Sequence, residues 1–199
     1  MQPQHIIVYD LEFTAWHGSK GRNWSESWEL REVIQLAAVE VVVSQKGAKI
    51  VSTFNELVKP SVNSNLSDYI IDLTGINQLT IDDMGVDFQS ALLQFYHFCQ
   101  EGLLPCYAWG RDRQVLQENC TINKYPMPEF AAGFVNLQHI ASSTKLSGAH
   151  LASGDIAEHL GKPLEGHKHN ALYDVRSLAC GLDVWLKSGK LSLQQLLKN

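Results

Sequence analysis

Asp10 and Glu12 stand two residues apart in IIVYDLEF. In an extended chain that spacing turns both carboxylates to one face, here where an apolar run ends. Two like charges about 4 Å apart repel by roughly 4 kcal/mol even at an effective dielectric near 20. A divalent cation removes that repulsion, and hard ions such as Mg²⁺ and Mn²⁺ choose oxygen ligands. A solvated strand end accounts for the pair as well. Asp112, in WGRDRQVLQ, follows a second apolar run and opens a helical pattern. It suits a third ligand or a helix N-cap, and the two roles are compatible. His169 and Asp174, in HKHNALYD, are five apart, which is not a same-face spacing within a helix. They converge if His169 lies on the preceding loop and Asp174 inside the helix. His167 and His169 also fit a solvated loop. A zinc site lacks a cysteine or third histidine at suitable spacing.

The surrounding pattern must bring these residues together. Ile6–Val8 leads into Tyr9–Glu12 as a first strand, Val33–Val43 reads as a long buried strand, and Ile50–Val58 alternates as a third, stopped by Pro60. Gly47 predicts an antiparallel hairpin between the last two. Leu66–Leu73 predicts a short helix ended by Gly75, and Phe88–Cys99 an amphipathic one. Leu104–Trp109 predicts a fourth strand, with a helix from about Asp112, and Glu129–Leu137 a fifth. Leu151–Leu160, Ala171–Leu186 and Leu191–Leu197 read as helices. Three strands, helices, strand, helix, strand, helices is the order of an α/β protein with a mixed sheet covered by helices. Thr14–Leu30 interrupts it with Gly18, Gly21 and three tryptophans, and reads as a long loop inserted between the first two strands. Loops of that length are usually functional or mobile.

Composition narrows the field. The 199 residues are 45% hydrophobic and 19% charged, a globular balance that suits a single domain over residues 1–199. No apolar run has the length to cross a membrane, and the N-terminus lacks the marks of a secretory signal. Cys99, Cys106, Cys120 and Cys180 form no CxxC pair. They read as reduced thiols of a cytoplasmic protein. The formal net charge of −5 argues against holding long duplexes by bulk electrostatics. A short contact with a strand end, anchored by metals, remains compatible with it.

YDLEFT, WGRD and GHKHNALYD, in this order, resemble the three motifs of the DEDDh 3′–5′ exonucleases, whose fold is ribonuclease H-like with a mixed five-stranded sheet. HNALYD is similar to ribonuclease T and oligoribonuclease relatives. The stretch FNELVKPSVNSNLSDYIIDLTGINQLTIDD looks more like the ERI-like branch. The resemblance spans about Ile6 to Leu182. It implies that Asp10, Glu12, Asp112 and Asp174 hold two Mg²⁺ or Mn²⁺ ions and that His169 acts as general base. The substrate would be the 3′ end of single-stranded RNA or DNA, with RNA slightly favoured and a nucleoside 5′-monophosphate released. It also implies contacts to the terminal nucleotides from Leu11, Phe13, Trp16 and the Thr74-Gly75-Ile76 element. For Leu11 and Trp16, packing within the domain is an equal reading of the residues, and for Gly75 so is a helix stop. The chain departs from the family after DLE, where Phe13-Thr14-Ala15-Trp16 stands and the next strand arrives late.

Two rival functions use the same residues. One is a nucleic-acid-binding domain that keeps the fold without turnover. The other is a metal-dependent phosphatase or endonuclease, which needs the carboxylates but not HNALYD. Protein partners are unassigned by the sequence.

Overall fold

A computed structural model describes residues 2–197. Strands β1 (Gln4–Phe13), β2 (Val33–Ser44) and β3 (Gly47–Leu57) form an antiparallel meander. β4 (Cys106–Ala108) joins β1 in parallel, and β5 (Phe134–Asn136) joins β4 in parallel. The sheet order is β3-β2-β1-β4-β5, the mixed five-stranded sheet expected. The β2–β3 turn requires a glycine at position 47. Its φ is +125°, and a Cβ there would come within 2.3 Å of the Asp183 carboxylate.

The helices are α1 (Asp68–Thr74), α2 (Gln78–Met84), α3 (Phe88–Phe98), α4 (Asp112–Ile122), α5 (Leu137–Ser143), α6 (Ile156–His159), α7 (Ala171–Lys187) and α8 (Leu193–Leu197). Ser67, Asn77, Asp87 and Asn136 cap their helices by accepting from the amide three residues on, which satisfies donors the helix leaves free.

The alternation of β1 sorts two cores. Ile6 and Val8 face α7, where they pack with Val39, Val41, Leu178, Leu182 and Trp185. Ile7, Tyr9 and Leu11 face the opposite way, against Leu92 and Phe95 of α3 and Val115 and Leu116 of α4. Leu178 and Leu182 are fully buried, and truncating either to alanine costs about 2–5 kcal/mol.

Several elements differ from expectation. β5 is three residues, not Glu129–Leu137. Gly133 turns the chain at φ +77°, and Asn136 already caps α5, a helix the sequence pattern had not shown. β4 is Cys106–Ala108 and lacks Leu104, Pro105 and Trp109 of the expected strand; proline has no amide for the ladder, although the Pro105 carbonyl accepts from Ile7. Leu151–Leu160 shrinks to a 3-10 turn at Ser153–Asp155 and the one-turn α6. The short α2 was also missed. Asp112 is the first residue inside α4 and not its N-cap, which is Arg111.

The segment Thr14–Leu30 has no regular element, yet it is tied down. Thr14 donates to the Leu30 carbonyl (2.6 Å) and accepts from the Glu32 amide (2.9 Å). Buried Glu29 accepts from Ser19 (2.5 Å) and from Arg22 (2.5 and 3.1 Å), and the Arg22 bond holds its carboxyl below the usual range. Trp16 packs edge-on against Trp28, with centroids 4.8 Å apart.

Candidate active site

The even-numbered face of β1 that buries Ile6 and Val8 continues into Asp10 and Glu12, so the two carboxylates are carried inward over α7. Asp10 lies opposite Ala37 and Glu12 opposite Gln35 in the β1–β2 register, which shifts just after Glu12. β4 runs parallel to β1, so the chain leaving it delivers Asp112 beside the carboxyl end of β1. That end of a parallel pair is where ligands of α/β sheets commonly sit. α7 brings Asp174 in its first turn, and His169 lies two residues before the helix begins, on exposed backbone at φ +62°. The expected division, histidine on the loop and aspartate in the helix, is what the structure has.

Asp10, Glu12, Asp112 and Asp174 are all buried, and together with His169 they line one cleft of about 260 Å³. Among the described residues, none forms a salt bridge with any of the four. Asp10 is held well above the ordinary carboxylate range by burial, then by repulsion from Asp112, Asp174 and Glu12. Glu12 is raised by burial, then by Asp174 and Asp112. Asp112 is pushed up to about 7 by burial, which outweighs the backbone amides of Asp112 and Leu11. Burial also raises Asp174, against the Ser153 hydroxyl and His169. Buried like charges that push one another's pKa upward mark functional sites more often than structural ones.

The donor set suits a hard divalent cation. One ligand atom each from Glu12, His169 and Asp174 lie within 4.8 Å of one another. Asp174 Oδ2 accepts from Ser153 Oγ at 2.9 Å, while Oδ1 is buried without a partner. A buried carboxylate oxygen left unpaired costs about 1–3 kcal/mol or more, which coordination to an ion would offset. Gly154 makes the room, since a Cβ there would lie 2.4 Å from that oxygen.

A second cavity of about 300 Å³ adjoins the cleft. It shares Glu12, Phe13, Lys20 and His169 with it, and adds Ala15, Trp24, Tyr69, Ile70 and Leu73. Its walls are mainly apolar and aromatic.

A profile of the RNase T family, described as Exonuclease, matches residues 7–180. The chain belongs to the RNase T exonuclease family. Rat 3′-5′ exoribonuclease 1 is 25% identical over 187 residues, covering 88% of this chain and 51% of that protein. The 3′-5′ exonuclease eri1 of Schizosaccharomyces pombe is 25% identical over 205 residues, covering 88% and 66%. The chain thus spans between half and two thirds of the length of these relatives. Among solved structures, the nuclease domain of 3′hExo, a DEDDh family member bound to rAMP, is similar with a TM-score of 0.77. The identity is 23%, and 96% of each chain is covered. That likeness establishes the ribonuclease H-like fold of this RNase T family member.

The remaining expected residues are spread around the site. Leu11 and Phe13 line the cleft. Trp16 packs on Trp28 and lines neither cavity. Thr74 is buried with its hydroxyl on the Ile70 carbonyl, Gly75 ends α1 at φ +73°, and Ile76 packs beside Ile70 in a core cluster. Sequence reasoning missed Gln35. Its Oε1 accepts from the Ala171 amide at 2.9 Å, so β2 caps α7 from outside the helix and fixes the point where His169 hands over to Asp174. A lone glutamine in the apolar run VIQLAAV was the available signal. Ser153, Gly154, Lys20 and Arg31 gave none.

Among the described residues, no helix is long and apolar enough to cross a membrane.

Proposed function

We propose that this chain is a single exonuclease domain that shortens single-stranded nucleic acid from its 3′ end, one nucleoside 5′-monophosphate at a time. The observation that carries the reading is the convergence of four buried carboxylates, with one orphaned Asp174 oxygen among them, on a cleft beside an apolar cavity. Asp10, Glu12, Asp112 and Asp174 would hold two Mg²⁺ or Mn²⁺ ions. When bound, such a pair supplies Lewis acidity to both the attacking and the leaving oxygen of an in-line displacement.

The chain's own groups do the rest. His169 is exposed and lines both cavities, so it is placed to take a proton from the attacking water. The water oxygen bonds to phosphorus as the bond to the 3′ oxygen of the preceding nucleotide breaks, and that oxygen leaves with a proton. Gln35 and Ser153 orient His169 and Asp174 through the start of α7. The apolar cavity seats the terminal base, where stacking is tolerant of sequence and worth about 1–3 kcal/mol. Phe13 stands on its wall and Leu11 beside it, while Trp16, Thr74, Gly75 and Ile76 shape the segments behind it.

RNA is the favoured substrate, because the relatives matched over most of this chain include proteins named exoribonucleases. The four free cysteines suit a cytoplasmic setting. The test is a 5′-labelled single strand with Mg²⁺ or Mn²⁺, run as matched RNA and DNA. A ladder shortening from the 3′ end, abolished by EDTA and faster on RNA, is expected. Cutting of a closed circular strand would instead identify an endonuclease and overturn the reading.

A further inference from the structure

The loop between β1 and β2 presents one cation in a singular place. Lys20 lines both the carboxylate cleft and the apolar cavity beside it. Two other cations face the carboxylates, and each differs. Arg31 is committed to Glu118 and packs over Trp24, 5.6 Å from the ring centroid. Arg111 lines the cleft alone. Among the described residues, the Lys20 ammonium forms no ion pair.

The loop is built to hold it there. Residues 17–23 make a tight turn, with Arg22 N–H on the Gly18 carbonyl and Trp24 N–H on the Ser19 carbonyl. Ser19 and Arg22, on either side of Lys20, both bind buried Glu29. Pinning the neighbours aims the lysine stem without using its charge.

We propose that Lys20 binds the phosphate that joins the terminal nucleoside to the strand, and so reads the substrate end as a nucleotide rather than as an apolar base. This rests on the exonuclease reading above. With the base in the apolar cavity and the reacting phosphorus over the carboxylates, the phosphate falls at the boundary, where Lys20 is the one lysine or arginine, among the described residues, that lines both sides. Charge balance points the same way. Four carboxylates and two divalent ions would cancel, which leaves the negative charge of a phosphodiester to the cations of the cleft that carry no ion pair, Lys20 and Arg111. An ammonium is a point charge that contacts a phosphate oxygen without the fork geometry of arginine.

The experiment is calorimetric titration of adenosine 5′-monophosphate and of adenosine into the wild type and into Lys20→Ala and Lys20→Arg, all with Mg²⁺. The alanine variant should bind the monophosphate about tenfold more weakly, the size of one charge-assisted contact. Adenosine affinity should stay unchanged, and the arginine variant should recover most of the loss. Unchanged monophosphate affinity in Lys20→Ala overturns the proposal, and so does an equal loss for adenosine, which would mean the loop had merely moved. If the wild type trims strands while Lys20→Ala binds normally, Lys20 alone is refuted. If the wild type neither trims nor binds the monophosphate, the exonuclease reading falls and takes this proposal with it.

Discussion

Replacing Asp10 by asparagine removes the group that gains least from the protein around it. Burial comes first, then repulsion from Asp112, Asp174 and Glu12, and all of these raise its pKa. Two unit charges about 5 Å apart repel by roughly 3 kcal/mol at an effective dielectric near 20. Protonation caps the penalty. Taking up a proton costs roughly 1.4 kcal/mol per pH unit above a carboxyl's ordinary value, so the full repulsion is never reached. Relaxation and water bring the expected gain for Asp10→Asn without metal to about 1–3 kcal/mol, or a Tm rise of about 3–10 °C for a chain of this size. The sign follows from linkage. A raised folded pKa gives a favourable contribution that is complete below the unfolded value and is lost as pH rises through the folded value. Asparagine mimics the neutral form, so the two proteins should melt together near pH 4 and separate towards pH 7 and above. Mg²⁺ should reverse the order at neutral pH. An ion at about 100 times its Kd stabilises the wild type by about 2.7 kcal/mol, and the variant should gain far less while losing its activity. Thermal melts by circular dichroism, in EDTA and in Mg²⁺ across that pH range, read all of this. A variant less stable than the wild type in EDTA at pH 7, or a gap that stays constant down to pH 4, would refute the claim that these carboxylates repel one another in a buried site.

Two further substitutions separate chemistry from scaffold. His169→Ala should slow strand trimming by about 10²–10⁴-fold, the usual worth of a general base. Its Tm should stay near that of the wild type because the side chain is exposed; undiminished turnover would remove His169 from the reaction. Gly154→Ala should place a methyl group against the orphaned Asp174 oxygen and sharply reduce both activity and the Tm gain from Mg²⁺. A variant that keeps its full Mg²⁺ response would show that Asp174 Oδ1 is not a ligand.

The acidic residues were legible because each is announced locally. Strand alternation alone places Asp10 and Glu12 on one face, and the start of a helical pattern places Asp112. The loop-to-helix boundary before Ala171 brings His169 and Asp174 into reach. The sheet was legible for the same reason, since β1 and β2 carry long β-branched runs. The misses fall where tertiary structure decides. β5 is held to three residues by the turn at Gly133 and by the cap of α5, and neither shows in hydrophobic period.

The less legible half of the site consists of residues whose use depends on what stands opposite them. Gln35 matters because α7 begins without a side-chain cap of its own, and only the β1–β2 register puts it there. Gly154 contributes an absence, the missing Cβ that lets Asp174 keep an open oxygen. Lys20 is one exposed residue in a loop without period, and the buried Ser19–Glu29–Arg22 network gives it direction. A site that concentrates negative charge must borrow its room and its counter-charge from other segments. The carboxylates are therefore readable from sequence motifs, while the residues that give them room and counter-charge are readable only from the fold.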